Sequence, residues 1–261
     1  MRVLIIILLI LQVSLASGQP DIRRSVLFQE AVNEALITNP QFQYEPQRKK
    51  AITELKSNWY TWLYKINKLE VIQEYYDWMN DIARVADLKY EDGEIDLYEN
   101  STLHLKLAEI ETSYAVTSND IEIAQNLVRQ FLFTNDQIAP ADSILRLYEI
   151  DKGNQPMDIL EESTDSAGMI NEYEKLVHNT TVENKQLQLD NLFLNLQFYG
   201  TYKLKNADIL LHTAHARFKT DEIDYIEFIG YISGIYAIKQ EYLDLLNDYN
   251  QCAIQLEYYA Y

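Results

Sequence analysis

The chain has 261 residues and carries 40 acidic against 22 basic side chains, for a formal net charge of −18 at pH 7. That balance argues against nucleic acid or an anionic lipid surface as a partner, since both would be repelled. Cys252 is the only cysteine, so no disulfide forms within the chain. Gly (7) and Pro (5) are scarce and Tyr (20) is abundant, which suits long helices with broad, half-buried faces.

Residues 1–18 read as a secretory signal. Arg2 supplies a positive start, Val3 to Leu11 is an apolar run, and Ala16 and Gly18 are small residues ahead of a cleavage point before Gln19. The run is well short of the ~20 residues a spanning helix needs, so the expectation is export without an anchor. A short amphipathic helix is expected over Ser25–Ile37, stopped by Asn39-Pro40. A long helix follows, from about Gln41 to Tyr90. Its seam is expected to pass through Ile52, Leu55, Trp59, Trp62, Ile66, Leu69, Tyr76, Ala83 and Tyr90, with Gln73 and Asn80 as polar interruptions.

Glu91-Asp92-Gly93 forms a turn. The next helix runs over about Ile95–Phe133, through Leu103, Leu107, Ile110, Tyr114, Ile121, Ala124 and Leu127. Residues 135–169 make a connector, with short helices expected around Ala141–Tyr148 and Met157–Glu162. A second long pair is expected over about Ile170–Phe218 and Ile223–Tyr259. Leu187 to Phe198 partly alternates, but a lone strand there would have no partner for its backbone, so the stretch reads as helix. The expected architecture is all-α: two tandem long antiparallel helical hairpins, residues 19–134 and 170–261, without an evident β-barrel. Such helices need lateral partners, either four packed together or several chains side by side.

One segment is written twice. Ala86 to Glu99 and Ala214 to Glu227 align without a gap, placing Glu94-Ile95-Asp96 on Glu222-Ile223-Asp224, Lys89 on Arg217, Tyr90 on Phe218 and Glu99 on Glu227. Each copy lies at the elbow between two helical patterns, so a supersecondary unit has been duplicated.

The elbow residues Phe218 and Glu222 to Glu227, the run Tyr242 to Ala253, and the opening helix Ser25 to Pro40 together resemble the TolC family of outer-membrane efflux factors. The likeness is greatest to the branch associated with CusA/CzcA-type heavy-metal RND efflux pumps. It implies an exported chain at the periplasmic face of the outer membrane, a homo-oligomer (a trimer) or association with other outer-membrane factors, and a periplasmic adaptor and inner-membrane RND pump as partners. Two departures stand out. Asp221 replaces the glycine kept as Gly93, and no alternating segments of ~9–11 residues provide the spanning hairpins of a barrel. An alternative is a periplasmic helical scaffold or ligand-binding bundle derived from the family.

Gly93, Glu94, Asp96, Asp221, Glu222 and Asp224 are the candidate contact residues of the helix tip. The acids are expected to cap the helices that follow. His212 and His215, three apart on one helix, are a candidate metal pair; a site needs further ligands, and Asp208 and Asp221 are near in sequence. Asn100-Ser101-Thr102 and Asn179-Thr180-Thr181 match an acceptor pattern only incidentally, because both fall in helices. No nucleophile–base set, phosphate-binding glycine loop or cofactor motif is present, so neither an enzyme nor a bound cofactor is expected.

Overall fold

A computed structural model describes residues 23–150 and 166–260. The expected signal and the short helix at Met157–Glu162 lie outside the described residues. In chain order the elements are β1 (Arg24–Val26), α1 (Phe28–Thr38), α2 (Glu45–Glu91), α3 (Leu97–Leu132), β2 (Ile138–Pro140), α4 (Ser166–Phe198), α5 (Leu204–Lys219) and α6 (Tyr225–Ala260). A π-helical turn, Tyr199–Lys203, joins α4 to α5. Among the described residues, no helix is long and apolar enough to cross a membrane. The only strands there are β1 and β2.

The long helices form a layer in the order α3, α2, α6, then α4 continued by α5. α2 and α6 are central, and no substantial contact joins α3 to α4 or α5. Among the described residues, the layer is open at both sides. At α2's 47 residues, it is roughly 70 Å long.

Polar ties and stacked rings fix the register of α2 on α6. Lys56 pairs with Glu257, Lys68 with Asp244 at 3.1 Å, and Lys239 with Glu74 at 2.9 Å. Tyr75 stacks on Tyr236 with ring centres 4.5 Å apart, and its hydroxyl meets that of Ser233 at 2.6 Å. Among the described residues, three apolar cores accompany these ties, one of them gathering Tyr148 and Leu189 with Cys252, Ile254 and Leu256 of α6; the other two are larger. One gathers Leu55, Trp59 and Trp62 with α1 and the end of α3, and the other gathers Ile72, Met79 and Ile82 with Phe228 and Ile232 near the elbows.

Several expectations are corrected. Ser25 belongs to a strand, since β1 pairs in parallel with β2, and α1 starts only at Phe28, where Glu30 accepts the Leu27 N–H. The lower seam of α2 keeps the expected Ala83 but otherwise runs through Ile72, Tyr75, Met79, Ile82 and Ala86, while Tyr90 is exposed. α2 packs against both α3 and α6, so its buried face is wider than one heptad seam, and Gln73 and Asn80 fall outside it. In α3, Leu103, Ile110, Thr117 and Ala124 are buried, one per heptad, whereas Tyr114 and Leu127 face outward.

Ala141–Tyr148 is an extended strap, not a helix. Its backbone pairs with two side-chain amides instead of with itself. Asn67 donates to the Ser143 carbonyl (2.6 Å) and accepts the Leu145 N–H (3.3 Å). Asn250 donates to the Arg146 carbonyl (2.9 Å) and accepts the Tyr148 N–H (2.7 Å). Both amides therefore act as one rung of a strand, and Leu145 and Tyr148 are buried beneath the strap.

Candidate functional site

The two elbows close with the same hydrogen bonds. At the first, the Gly93 N–H donates to the Tyr90 carbonyl (3.0 Å) and the Glu94 N–H to Lys89 (2.8 Å); at the second, Asp221 donates to Phe218 (3.2 Å) and Glu222 to Arg217 (2.9 Å). Both patterns need one residue in the left-handed region, since only that turn brings the next two N–H groups back to the helix's last carbonyls. Gly93 supplies it at φ +75°, and Asp221 supplies it at φ +56°. The helix starts also match. Asp96 accepts the Glu99 N–H at 2.9 Å while Glu99 accepts the Asp96 N–H at 3.3 Å. Asp224 accepts the Glu227 N–H at 2.7 Å, although the Glu227 carboxylate turns to the Tyr231 hydroxyl instead (3.2 Å). Asp96 and Asp224 are thus helix caps.

Gly93, Glu94, Asp96, Asp221, Glu222 and Asp224 are all exposed at one end of the layer. Lys89 links the two elbows, with its ammonium 3.9 Å from Glu94 and 3.7 Å from Asp221 and over the Tyr225 ring at 5.8 Å. Burial raises the Tyr225 phenol above its usual range, with Asp221, Glu94 and Glu99 adding to the effect. Arg217, the repeat partner of Lys89, stays within its own elbow and meets Glu222 at 3.6 Å. The alignment of Lys89 with Arg217 was the sequence signal for this bridge; which elbow it would reach depended on the packing.

The histidines play unlike parts. His212 is exposed, whereas the His215 ring lies edge-on to Trp78 at 5.0 Å and parallel to Phe228 at 6.3 Å. Burial lowers the His215 pKa below the ordinary imidazole value, helped by Lys219 and His212. Among the described residues, no group of three or more His, Cys, Asp or Glu side chains is placed to hold a metal ion.

The open sides of the layer carry a second kind of surface. On α3, Tyr98, Leu105, Val116, Ile123 and Leu127 are exposed. At ~100° per residue they share one face, roughly 120° around the helix from the buried seam. On the far side, Tyr173, Leu176, Leu187, Leu194 and Phe198 of α4 and Ile209 of α5 are exposed as well. Those of α4 fall on the face opposite its buried Leu189 and Leu196. Each edge helix therefore carries two apolar stripes, of which the described residues cover one.

No family model and no curated protein matches the sequence. Among solved structures, the chain is similar to CusC, in a crystallographic study of the conformational changes accompanying folding and transmembrane channel formation. The TM-score is 0.67 over 90% of this chain and 97% of that one, at 11% identity. The all-α arrangement of two long helical hairpins is therefore a fold that this chain shares with CusC.

Proposed function

We propose that the chain is a component of a TolC-like efflux conduit, formed when copies associate side by side through the open edges of the layer. The observation that carries this reading is the pair of uncovered apolar stripes, one on α3 and one on α4 and α5. Extended apolar surface of this kind marks an interaction site, and stripes that keep to one helical face suit helix-on-helix packing. Because the two stripes lie on different edges, the contact joins unlike surfaces of successive copies and builds a ring when its rotation closes. The family likeness makes a trimer the expected ring.

On this reading the exposed elbows form the tip, where Glu94, Asp96, Asp221, Glu222 and Asp224 meet a periplasmic adaptor that couples the conduit to an inner-membrane RND pump. Heavy-metal cations are the cargo implied by the likeness to the CusA/CzcA branch. The chain contributes walls and contacts and performs no chemistry.

Sedimentation of the purified chain tests the assembly. A trimer that Leu105→Lys with Ile123→Lys converts to a folded monomer supports it. A wild-type chain that stays monomeric at every concentration overturns it, and would favour a periplasmic scaffold.

A further inference from the structure

The second elbow borders a groove that the conduit reading does not use. α2 and α5 form its walls and the start of α6 its floor, enclosing about 580 Å³. Trp78 of α2 meets His215 of α5 edge-on and closes the base of the groove between them, Phe218 lines the α5 wall, and Tyr225 and Phe228 lie beneath. The rings are in continuous contact: besides the pairs around His215, Phe218 stacks on Phe228 at 4.4 Å and meets Tyr225 edge-on at 4.8 Å.

Charge around this aromatic lining is arranged unevenly. Asp77 and Asp81 stand on the α2 rim, one helical turn apart, and both are exposed. Asp77 accepts one hydrogen bond, from Gln73 at 2.7 Å, and Asp81 has no hydrogen-bond or ion-pair partner among the described residues. Lys89 is engaged by Glu94 and Asp221, which leaves Lys219 as the basic group on the opposite rim. Burial holds the His215 pKa below the ordinary imidazole value, which favours its neutral form. The Tyr225 hydroxyl is buried without a hydrogen-bond partner. Aromatic faces attract cations through their negative π surface, and carboxylates at the rim add a full counter-charge.

We propose that this groove is a binding site for a monovalent organic cation bearing an aromatic or quaternary ammonium group. The ring system or alkyl groups lie against the partly exposed rings of Trp78, His215 and Phe218, and the charge lies toward Asp77 and Asp81. An anion of equal size meets those carboxylates and is rejected. All of these residues come from one chain, so occupancy does not depend on lateral assembly, and either proposal can fail without the other.

The test is a fluorescence titration of the full chain with ethidium, with 1-anilinonaphthalene-8-sulfonate as the anionic control. Ethidium is expected to saturate one site, and Asp77→Asn with Asp81→Asn to weaken it by roughly tenfold. Trp78→Leu is expected to weaken it by a similar factor, and the anion to leave ethidium binding unchanged. Absence of saturable ethidium binding overturns the proposal. So does an affinity that the double Asp variant leaves intact, or displacement of ethidium by the anion. Asp77 and Asp81 are exposed, so their double variant keeps the walls of the groove and decides the matter even if Trp78→Leu fails to fold.

Discussion

At the first elbow Gly93 takes the left-handed turn and at the second Asp221 does, yet the closing and capping bonds on the two sides are nearly superposable in kind. Burial separates them. Tyr225 and Phe228 begin the helix after the second elbow and are almost fully buried, while Leu97, the repeat partner of Tyr225, is 63% exposed. Phe218 packs into the aromatic cluster, and its partner Tyr90 faces solvent. The cause is position in the layer: α6 is central and touches helices on both sides, whereas α3 is an edge. Duplication thus copied the local hydrogen bonding, and the tertiary arrangement then assigned each copy a different environment.

The largest test of this contrast is truncation. Phe228→Ala is expected to cost about 3–5 kcal/mol in urea unfolding, while Leu97→Ala changes stability by less than about 0.5 kcal/mol. Equal costs would mean that the first elbow is buried too. The turn residues come next. Gly93→Ala forces a Cβ into the left-handed region and should cost about 1–2 kcal/mol. Asp221→Gly relieves the same strain and should stabilise by about 0.5–1 kcal/mol, because the exposed contact it loses with Lys89 contributes little. Removing a cap, by Asp96→Ala or Asp224→Ala, is expected to cost about 1 kcal/mol at either elbow.

The smallest expected effect is one of pH and belongs to the second elbow alone. His215 has a lowered pKa in the folded chain, so the unfolded chain binds the proton more readily. Its contribution is therefore present above the ordinary imidazole value of about 6.5, declines as pH falls below it, and levels off below the lowered folded value. Melting temperatures from pH 8 to 5 should show this decline in the wild type and lose that part of it in His215→Phe. An identical slope in the variant would assign the decline to other groups.

The elbows were legible in the sequence because everything that closes them lies within a few consecutive residues, and the duplication displayed the pattern twice. The all-helical class was legible too, from periodicity sustained over several tens of residues with few breakers. The strap was not. Leu145 and Tyr148 are spaced like one face of a helix, and what keeps that stretch extended is a pair of amides on Asn67 and Asn250, distant in sequence. The lower seam of α2 was shifted for a related reason: a period reports one buried face, and this helix has neighbours on two sides. β1 and β2, three residues each, are too short for alternation to register. At the tip the acids were visible, but the bridge from Lys89 to the opposite elbow required knowing which helices lie side by side.

The strap has a mechanical consequence. Long helices packed side by side resist being pulled apart far better than they resist sliding, because one turn of slip exchanges similar ridges and grooves. Asn67 stands on α2 and Asn250 on α6, and the same short piece of backbone spans both. A slip of one helix along the other would break the rungs on one side or stretch the strap between them. The strap is therefore a transverse splint, and the layer should transmit an axial push at the elbows to its far end as a nearly rigid body.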